Sequence, residues 1–255
     1  MIISHKYKFI FLHCRKTAGS SIVASLSRYL SPNDIQISAI QDALSNGVRP
    51  PRRVVVKGLI CGLGNLQLLR ALAARRRFRS FLSRAVKKSY ERQLGPKPDH
   101  AYALEVRNAF PDEWRNYFKF CVVRNPFERV VSDYFWRIKS APNAPSFSEF
   151  VMAIHEGRTL SGTVPERPDN WPIYTINDEI VADAIIEYGE LMPRLVRIMS
   201  DIGVPWDGNL PKSKSGWNRK RNREPHWYRS IYRPNDRELV GHVFRKEISQ
   251  FEYRF

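Results

Sequence analysis

The apolar run "KFIFL" (residues 8–12), followed by "RKTAGSS" (15–21) and then "IVASLSRYL" (22–30), constrains the fold more than any other feature of the chain. An unbroken apolar run predicts a buried parallel strand, and Ile22, Val23, Leu26 and Leu30 mark one face of a helix that begins around Ser20. Strand, tight turn and helix follow one another. Such a turn gathers backbone N–H groups and the positive end of a helix dipole beside Lys16 and the hydroxyls of Thr17, Ser20 and Ser21, an arrangement suited to an anion. An ordinary strand-to-helix turn, in which Gly19 relieves backbone strain and Ser20 or Ser21 caps the helix, accounts for the same residues. The ATP-type loop GxxxxGK[ST] does not fit, because its lysine follows the second glycine whereas Lys16 precedes Gly19.

A second junction of this kind lies in "NYFKFCVVRNPFERVVSDYFW". A strand is predicted over Phe118 to Val123, closed by Arg124, Asn125 and Pro126. Proline suits the first helical turn, and Phe127, Val130, Val131, Tyr134 and Phe135 mark the buried face of the helix it opens. Arg124 at the strand tip and Ser132 in the second helical turn are placed to hold one phosphate, for which the fixed fork of arginine is well suited. A strand-end arginine and a helix serine without a shared duty is the alternative.

With 255 residues the chain is long enough for one sizeable core, and a single domain over 1–255 is expected. No apolar run approaches the ~20 residues of a membrane span. The amino-terminal stretch has too short an apolar core for a signal peptide, and the three cysteines (14, 61 and 121) are widely spaced, which suits reduced thiols in a cytoplasm. Neither they nor the six histidines have metal-ligand spacing, so no metal is expected. The net charge of +17 calls for anionic company: nucleic acid, anionic membrane, an acidic polysaccharide or a multiply charged nucleotide.

Between the two junctions, "RVVVKGLICGLGN" reads as a second short strand ending in glycines. From Arg70 to Arg92 there are nine Lys or Arg against the single acid Glu91, with apolar residues at helical spacing, so a basic helical insertion is expected over about 66–94. It is either a solvated face laid over the core, a clamp for an acidic acceptor, or a peripheral contact with an anionic membrane. "GPKPD" punctuates the chain ahead of His100, and a helix broken at Pro111 follows. Residues 140–175 read as variable loops around a helix-like "SFSEFVMAIHEG", and "EIVADAIIEYGELMPRLVRIMSDIGV" as a strand and a helix. The stretch 212–223 is basic with aromatics interleaved nearby, and the chain ends in an amphipathic helix started by Pro234-Asn235-Asp236.

The two junctions together resemble the paired nucleotide motifs of the PAPS-dependent sulfotransferases, in particular the carbohydrate (family 2-like) group, whose donor is 3′-phosphoadenosine-5′-phosphosulfate. "RKTAGSS" is similar to the family's 5′-phosphosulfate loop. "VVRNPFERVVSDY" is similar to its 3′-phosphate motif, in which an Arg and a Ser eight residues later grip that phosphate, and "FEYRF" is similar to the group's ending. The resemblance covers nearly the whole chain. It implies a P-loop NTPase-like three-layer α/β/α fold with a mostly parallel central sheet. It also implies PAPS as co-substrate with PAP as product, and a carbohydrate hydroxyl on a glycan or glycolipid as acceptor. By carry-over, Arg15, Lys16, Thr17, Ala18, Gly19, Ser20 and Ser21 bind the phosphosulfate, while Arg124 and Ser132 bind the 3′-phosphate.

Transfer of the sulfuryl group by in-line displacement calls for a base to take the hydroxyl proton and a cation to offset charge on the leaving oxygen. Lys16 is the candidate cation. His100, which lies 24 residues before Arg124 as in uronyl-type relatives, is the candidate base, with Glu105 as fallback and His155 third. Arg15 stands where many relatives have proline, and Glu187 and Gly189 depart from the family's usual acceptor-side residues. Two other classes compete. A P-loop-like kinase or nucleotide hydrolase requires Mg²⁺ and a strand-end carboxylate to hold it, for which the sequence offers no clear candidate. A non-enzymatic binder of polyanions fits the charge, although no recognised nucleic-acid module is present.

Overall fold

The structure, a computed structural model, describes residues 1–62, 75–139, 141, 143–160, 163–164, 168–211 and 226–255. The chain divides into two compact units, Met1–Val122 with Pro172–Ser213 and Val123–Trp171 with Lys214–Phe255.

In the first unit a five-stranded sheet is built from β1 (Ile2–Ser4), β2 (Phe9–Leu12), β3 (Ile35–Gln36), β4 (Phe118–Val123) and, after a small separate hairpin of β5 (Thr175–Ile176) and β6 (Glu179–Ile180), β7 (Ala184–Glu187), in the order β3-β1-β2-β4-β7. β2 pairs parallel with β4 (Phe11 opposite Phe120), whereas β1 is antiparallel to both β2 and β3. Strands β3, β2 and β4 therefore point one way and β1 the other. The expected mostly parallel sheet is present, with an antiparallel strand that the sequence reading did not separate from the apolar run.

Side chains alternate across the sheet, so Phe9, Phe11, Phe120, Val122 and Ile186 share one face. Helix α1 (Gly19–Leu26) covers that face with Ile22, Val23 and Leu26, and a later helix, Leu191–Asp201, adds Leu195, Ile198 and Met199. This packing fixes the start of α1 at the end of β2.

The segment read as a second strand is instead a helix. After α2 (Ile40–Ser45), α3 spans Arg52–Gly62 and packs along α4 (Arg75–Leu94), the described part of the expected basic insertion. The β-branched run lost to packing: Val54, Gly58 and Gly62 recur every four residues as the buried edge of α3. A Cβ at 58 would lie 2.7 Å from Val86 Cγ2, and one at 62 would lie 2.5 Å from Phe81 Cζ, so only glycine lets the two helices approach. On α4, Phe81, Leu82, Ala85, Val86, Tyr90 and Leu94 are buried, while Arg84, Lys88 and Arg92 form an exposed row. Residues 66–74 of the insertion and 212–223 of the other basic stretch lie outside the described residues. Helices α5 (Ala103–Ala109) and α6 (Pro111–Asn116) break at Pro111 as expected.

The second unit is helical: α7 (Pro126–Ile138), α8 (Phe147–His155), the helix Leu191–Asp201 of the first unit being α9, then α10 (Pro234–Val243) and α11 (Arg245–Gln250). The single carboxy-terminal helix expected from the sequence is two, interrupted at the buried Phe244. The core joins Phe127, Val130, Val131 and Tyr134 of α7 to Phe150, Val151 and Ile154 of α8 and to Val240 and Phe244. Buried in it, Arg129 bonds Glu247 at 2.7 Å and the Pro168 carbonyl at 2.7 Å, its guanidinium 4.5 Å from the Phe244 ring centre.

Candidate active site

Past the end of β2 the chain makes a turn with two residues in the left-handed region, Lys16 (φ 60°) and Ala18 (φ 62°), before α1 starts at Gly19. Left-handed backbone costs a residue with a side chain roughly 1–2 kcal/mol, so the surroundings must hold the turn. Thr17, fully buried, donates its hydroxyl to the Cys14 carbonyl at 3.1 Å, and the N–H groups of Ser21 and Ile22 bond the Ala18 carbonyl at 2.9 and 3.1 Å. Gly19 lies flat against the His13 imidazole, since a Cβ there would come 2.0 Å from His13 Cδ2. Thr17, Gly19 and Ser21 are buried, while Arg15, Lys16, Ala18 and Ser20 stay partly exposed. A partly exposed lysine and serine thus flank the first turn of an eight-residue helix.

His13 also brings in the candidate base. Its ring Nδ1 is 3.0 Å from Ser38 Oγ, and its main-chain carbonyl lies 2.7 Å from His100 Nδ1. A carbonyl can only accept, so His100 carries its proton on Nδ1 and, when neutral, its lone pair on Nε2. The two rings are 4.5 Å apart. His100 ends the one-turn helix Pro98–His100, so residues 87 positions apart in sequence are locked together at the turn.

The polar cluster behind His100 is dense. Asp99 Oδ2 lies 3.8 Å from His100 Nε2 and is bonded by Lys87 Nζ, which α4 supplies. The Met1 amine donates to Ser38 Oγ at 2.8 Å and to the Asp99 carbonyl at 3.4 Å. Burial lowers the His100 pKa to about 4; the Asp99 charge and the bond to the His13 carbonyl oppose that fall, and Arg15 adds to it. Burial works against the Asp99 carboxylate too, but His100, Lys87 and the Met1 amine outweigh it and hold the group well below the usual carboxylate range. The Met1 amine is itself lowered to about 4, chiefly by burial. At neutral pH the ring is an uncharged base beside a permanent carboxylate.

Glu105, the fallback base, is engaged elsewhere: its Oε2 accepts the Tyr102 N–H at 2.8 Å and caps α5. His155 ends α8 in the second unit, exposed and 5.4 Å ring to ring from His242.

In the second unit Asn125 caps α7, its side chain accepting the Phe127 N–H at 3.0 Å with Pro126 in the first position. Arg124 is buried, and its guanidinium bonds Glu128 Oε1 at 2.5 Å. Glu128 and Ser132 are four residues apart and share one face of α7, and Arg124, which precedes the cap, reaches that face through Glu128. The carboxylate aims the guanidinium, a role that the sequence reading did not foresee.

A sequence model of the sulfotransferase family matches residues 1–254. The chain belongs to this family. No curated protein and no solved structure matches it. Family membership implies PAPS as the sulfuryl donor and PAP as the product, and the residues of the turn fit such a donor: a cationic side chain, a hydroxyl and a helix amino-terminus suit a terminal sulfate and phosphate. Among the described residues no group of three or more His, Cys, Asp or Glu is placed to hold a metal ion.

Sequence reasoning missed the sulfotransferase's His13, Lys87, Asp99 and Glu128. Two had a signal available: Asp99 adjoins the candidate base, and Glu128 stands one helical turn after Arg124. His13 and Lys87 act through contacts with residues far away in sequence, which no local pattern reveals.

Proposed function

We propose that this sulfotransferase moves the sulfuryl group of PAPS to a hydroxyl of a carbohydrate acceptor, a glycan or glycolipid, on a P-loop-like three-layer fold. The observation that supports the reading is the tether of His100 Nδ1 to the carbonyl of His13, whose ring lies against Gly19 of the turn, so that the neutral His100 ring keeps its lone pair on Nε2.

In this scheme Lys16, Ser20 and the amides at the start of α1 hold the 5′-phosphosulfate, with Arg15 adding charge at the same turn. Thr17, whose hydroxyl proton is committed to Cys14, contributes backbone and shape, as do Ala18, Gly19 and Ser21. Arg124 and Ser132 hold the 3′-phosphate. His100 Nε2 takes the proton of the attacking hydroxyl as the new oxygen–sulfur bond forms and the bond from sulfur to the donor's bridging oxygen breaks. Lys16 offsets the charge left on that oxygen. The imidazolium formed is stabilised by Asp99, which Lys87 keeps in place. The displacement needs no metal, so activity withstands EDTA; a kinase or nucleotide hydrolase would lose it.

The test is transfer of ³⁵S from labelled donor to a panel of glycans, glycolipids and small alcohols. A labelled saccharide is expected, with His100→Ala slower by about 10²–10⁴-fold, the usual worth of a positioned general base. Labelling confined to non-carbohydrate alcohols, or full activity in His100→Ala, would refute the scheme.

A further inference from the structure

Helix α9 turns Leu191, Leu195, Ile198 and Met199 to the core of the first unit, yet it also carries apolar residues that face solvent. Met192 and Val196 are 40% and 49% exposed, and Tyr188, in the one-turn helix Tyr188–Glu190 that leads into α9, is 37% exposed. The three recur every four residues, the spacing of neighbours along one helix face. They are three of the seven large apolar side chains exposed among the described residues, so exposed apolar surface is concentrated here.

The charges around this row form a pattern that is its own complement. Counted from Met192, Tyr188 and Val196 stand four residues before and after, Glu190 and Arg194 two before and after, and Glu187 and Arg197 five before and after. A two-fold axis through Met192 that sets two copies of α9 antiparallel therefore brings Met192 onto its own copy and Tyr188 level with Val196 of the other copy. Each glutamate falls level with an arginine. A parallel pairing in register would set glutamate on glutamate. Among the described residues Glu187, Glu190 and Arg194 form no ion pair, and Arg197 Nε lies 4.0 Å from Asp201 Oδ2 with both side chains largely exposed. The array of two acids and two bases has no net charge, so attraction across it offsets the repulsion between two chains of net charge +17.

We propose that this face of α9 binds a second copy of the chain, forming a two-fold dimer. Tyr188, Met192 and Val196 pack antiparallel against themselves, and Glu187 and Glu190 of one copy lie opposite Arg197 and Arg194 of the other. One helix and its lead-in turn make a contact at the small end of specific interfaces, below about 1,200 Å² in total, so the dimer is reversible, with a dissociation constant on the order of 10 μM. The inference is independent of the acceptor.

The test is sedimentation velocity of the full chain from about 1 to about 200 μM, a range that spans such an affinity. Wild type should pass from monomer to dimer. Arg197→Glu, which sets glutamate opposite Glu187, should weaken the dimer at least tenfold, and Glu187→Arg/Arg197→Glu, which exchanges the two signs, should regain most of the loss. The substituted residues are exposed, so thermal melts of the variants should match wild type. In a Cys61→Ser background, Met192→Cys should link two chains through a disulfide under mild oxidation, whereas Ser200→Cys, eight residues from the axis, should not. A monomer at every concentration, a dimer indifferent to Arg197→Glu, a double variant no better than the single one, or linkage through Ser200→Cys in place of Met192→Cys would each overturn the proposal.

Discussion

Replacing Asp99 by asparagine should lower the pKa of His100, and replacing Arg15 by glutamine should raise it. Across the 3.8 Å between Asp99 Oδ2 and His100 Nε2, two unit charges attract by about 1 kcal/mol at the dielectric of water and by about 4 kcal/mol at an effective dielectric of about 20. Lys87 stays in the variant and its charge is then uncompensated, so the whole of the Asp99 attraction is lost. Asp99→Asn should therefore bring His100 clearly below its starting value of about 4, while Arg15→Gln should give a smaller rise, its influence ranking below that of Asp99. Imidazole ¹⁵N shifts followed by NMR measure both, with His100 assigned by its loss in His100→Gln. The spectra should also show Nδ1 protonated in the neutral ring, as the bond to the His13 carbonyl requires. The acidic limb of kcat/KM should move in the same directions. A wild-type value near 6.5, or shifts of the same sign in the two variants, would refute the electrostatic account of the base.

The same groups make the fold sensitive to acid. The unfolded His100 binds a proton below about 6.5 and the folded one only near 4, so stability is lost as pH falls through that window, by roughly 3 kcal/mol at most. Asp99 is depressed when folded, so its contribution is present above its unfolded value and lost as pH falls below it. Denaturant melts at pH 7 and pH 4.5 should show the drop, and His100→Gln should flatten it. Glu247→Ala strands Arg129 in the core and should cost about 3–5 kcal/mol, read as a lower urea midpoint. Gly19→Ala pushes its Cβ into the His13 ring and should weaken PAP binding while displacing the His100 resonances; an unchanged spectrum would refute the tight approach.

The parts of the fold that were legible in the sequence are those set by local pattern. β4 is legible residue for residue because a strand of five apolar residues and Lys119 ends at Arg-Asn-Pro, and α7 because Pro126 follows a capping asparagine. The turn at 15–21 was legible in its residue types, but the left-handed backbone at Lys16 and Ala18 was not, since neither residue favours it. The valines of the segment 52–62 carry strand propensity, while the deciding feature is the approach of Gly58 to Val86 and of Gly62 to Phe81, 28 and 19 residues later. His100 was singled out from spacing within a known pattern. Its neighbours His13, Lys87 and Met1 come from three other segments, and only the folded chain gathers them.

In the proposed scheme one doubly phosphorylated adenosine is held at its two ends by Lys16 and by Arg124. Calorimetric affinity for PAP in wild type, Lys16→Ala, Arg124→Ala and the double variant measures this directly. Each single substitution should weaken binding by at least tenfold, and the double variant should lose about the sum of the two free energies, as expected for separate contacts to one ligand. PAP affinity left unchanged by either single substitution would contradict it.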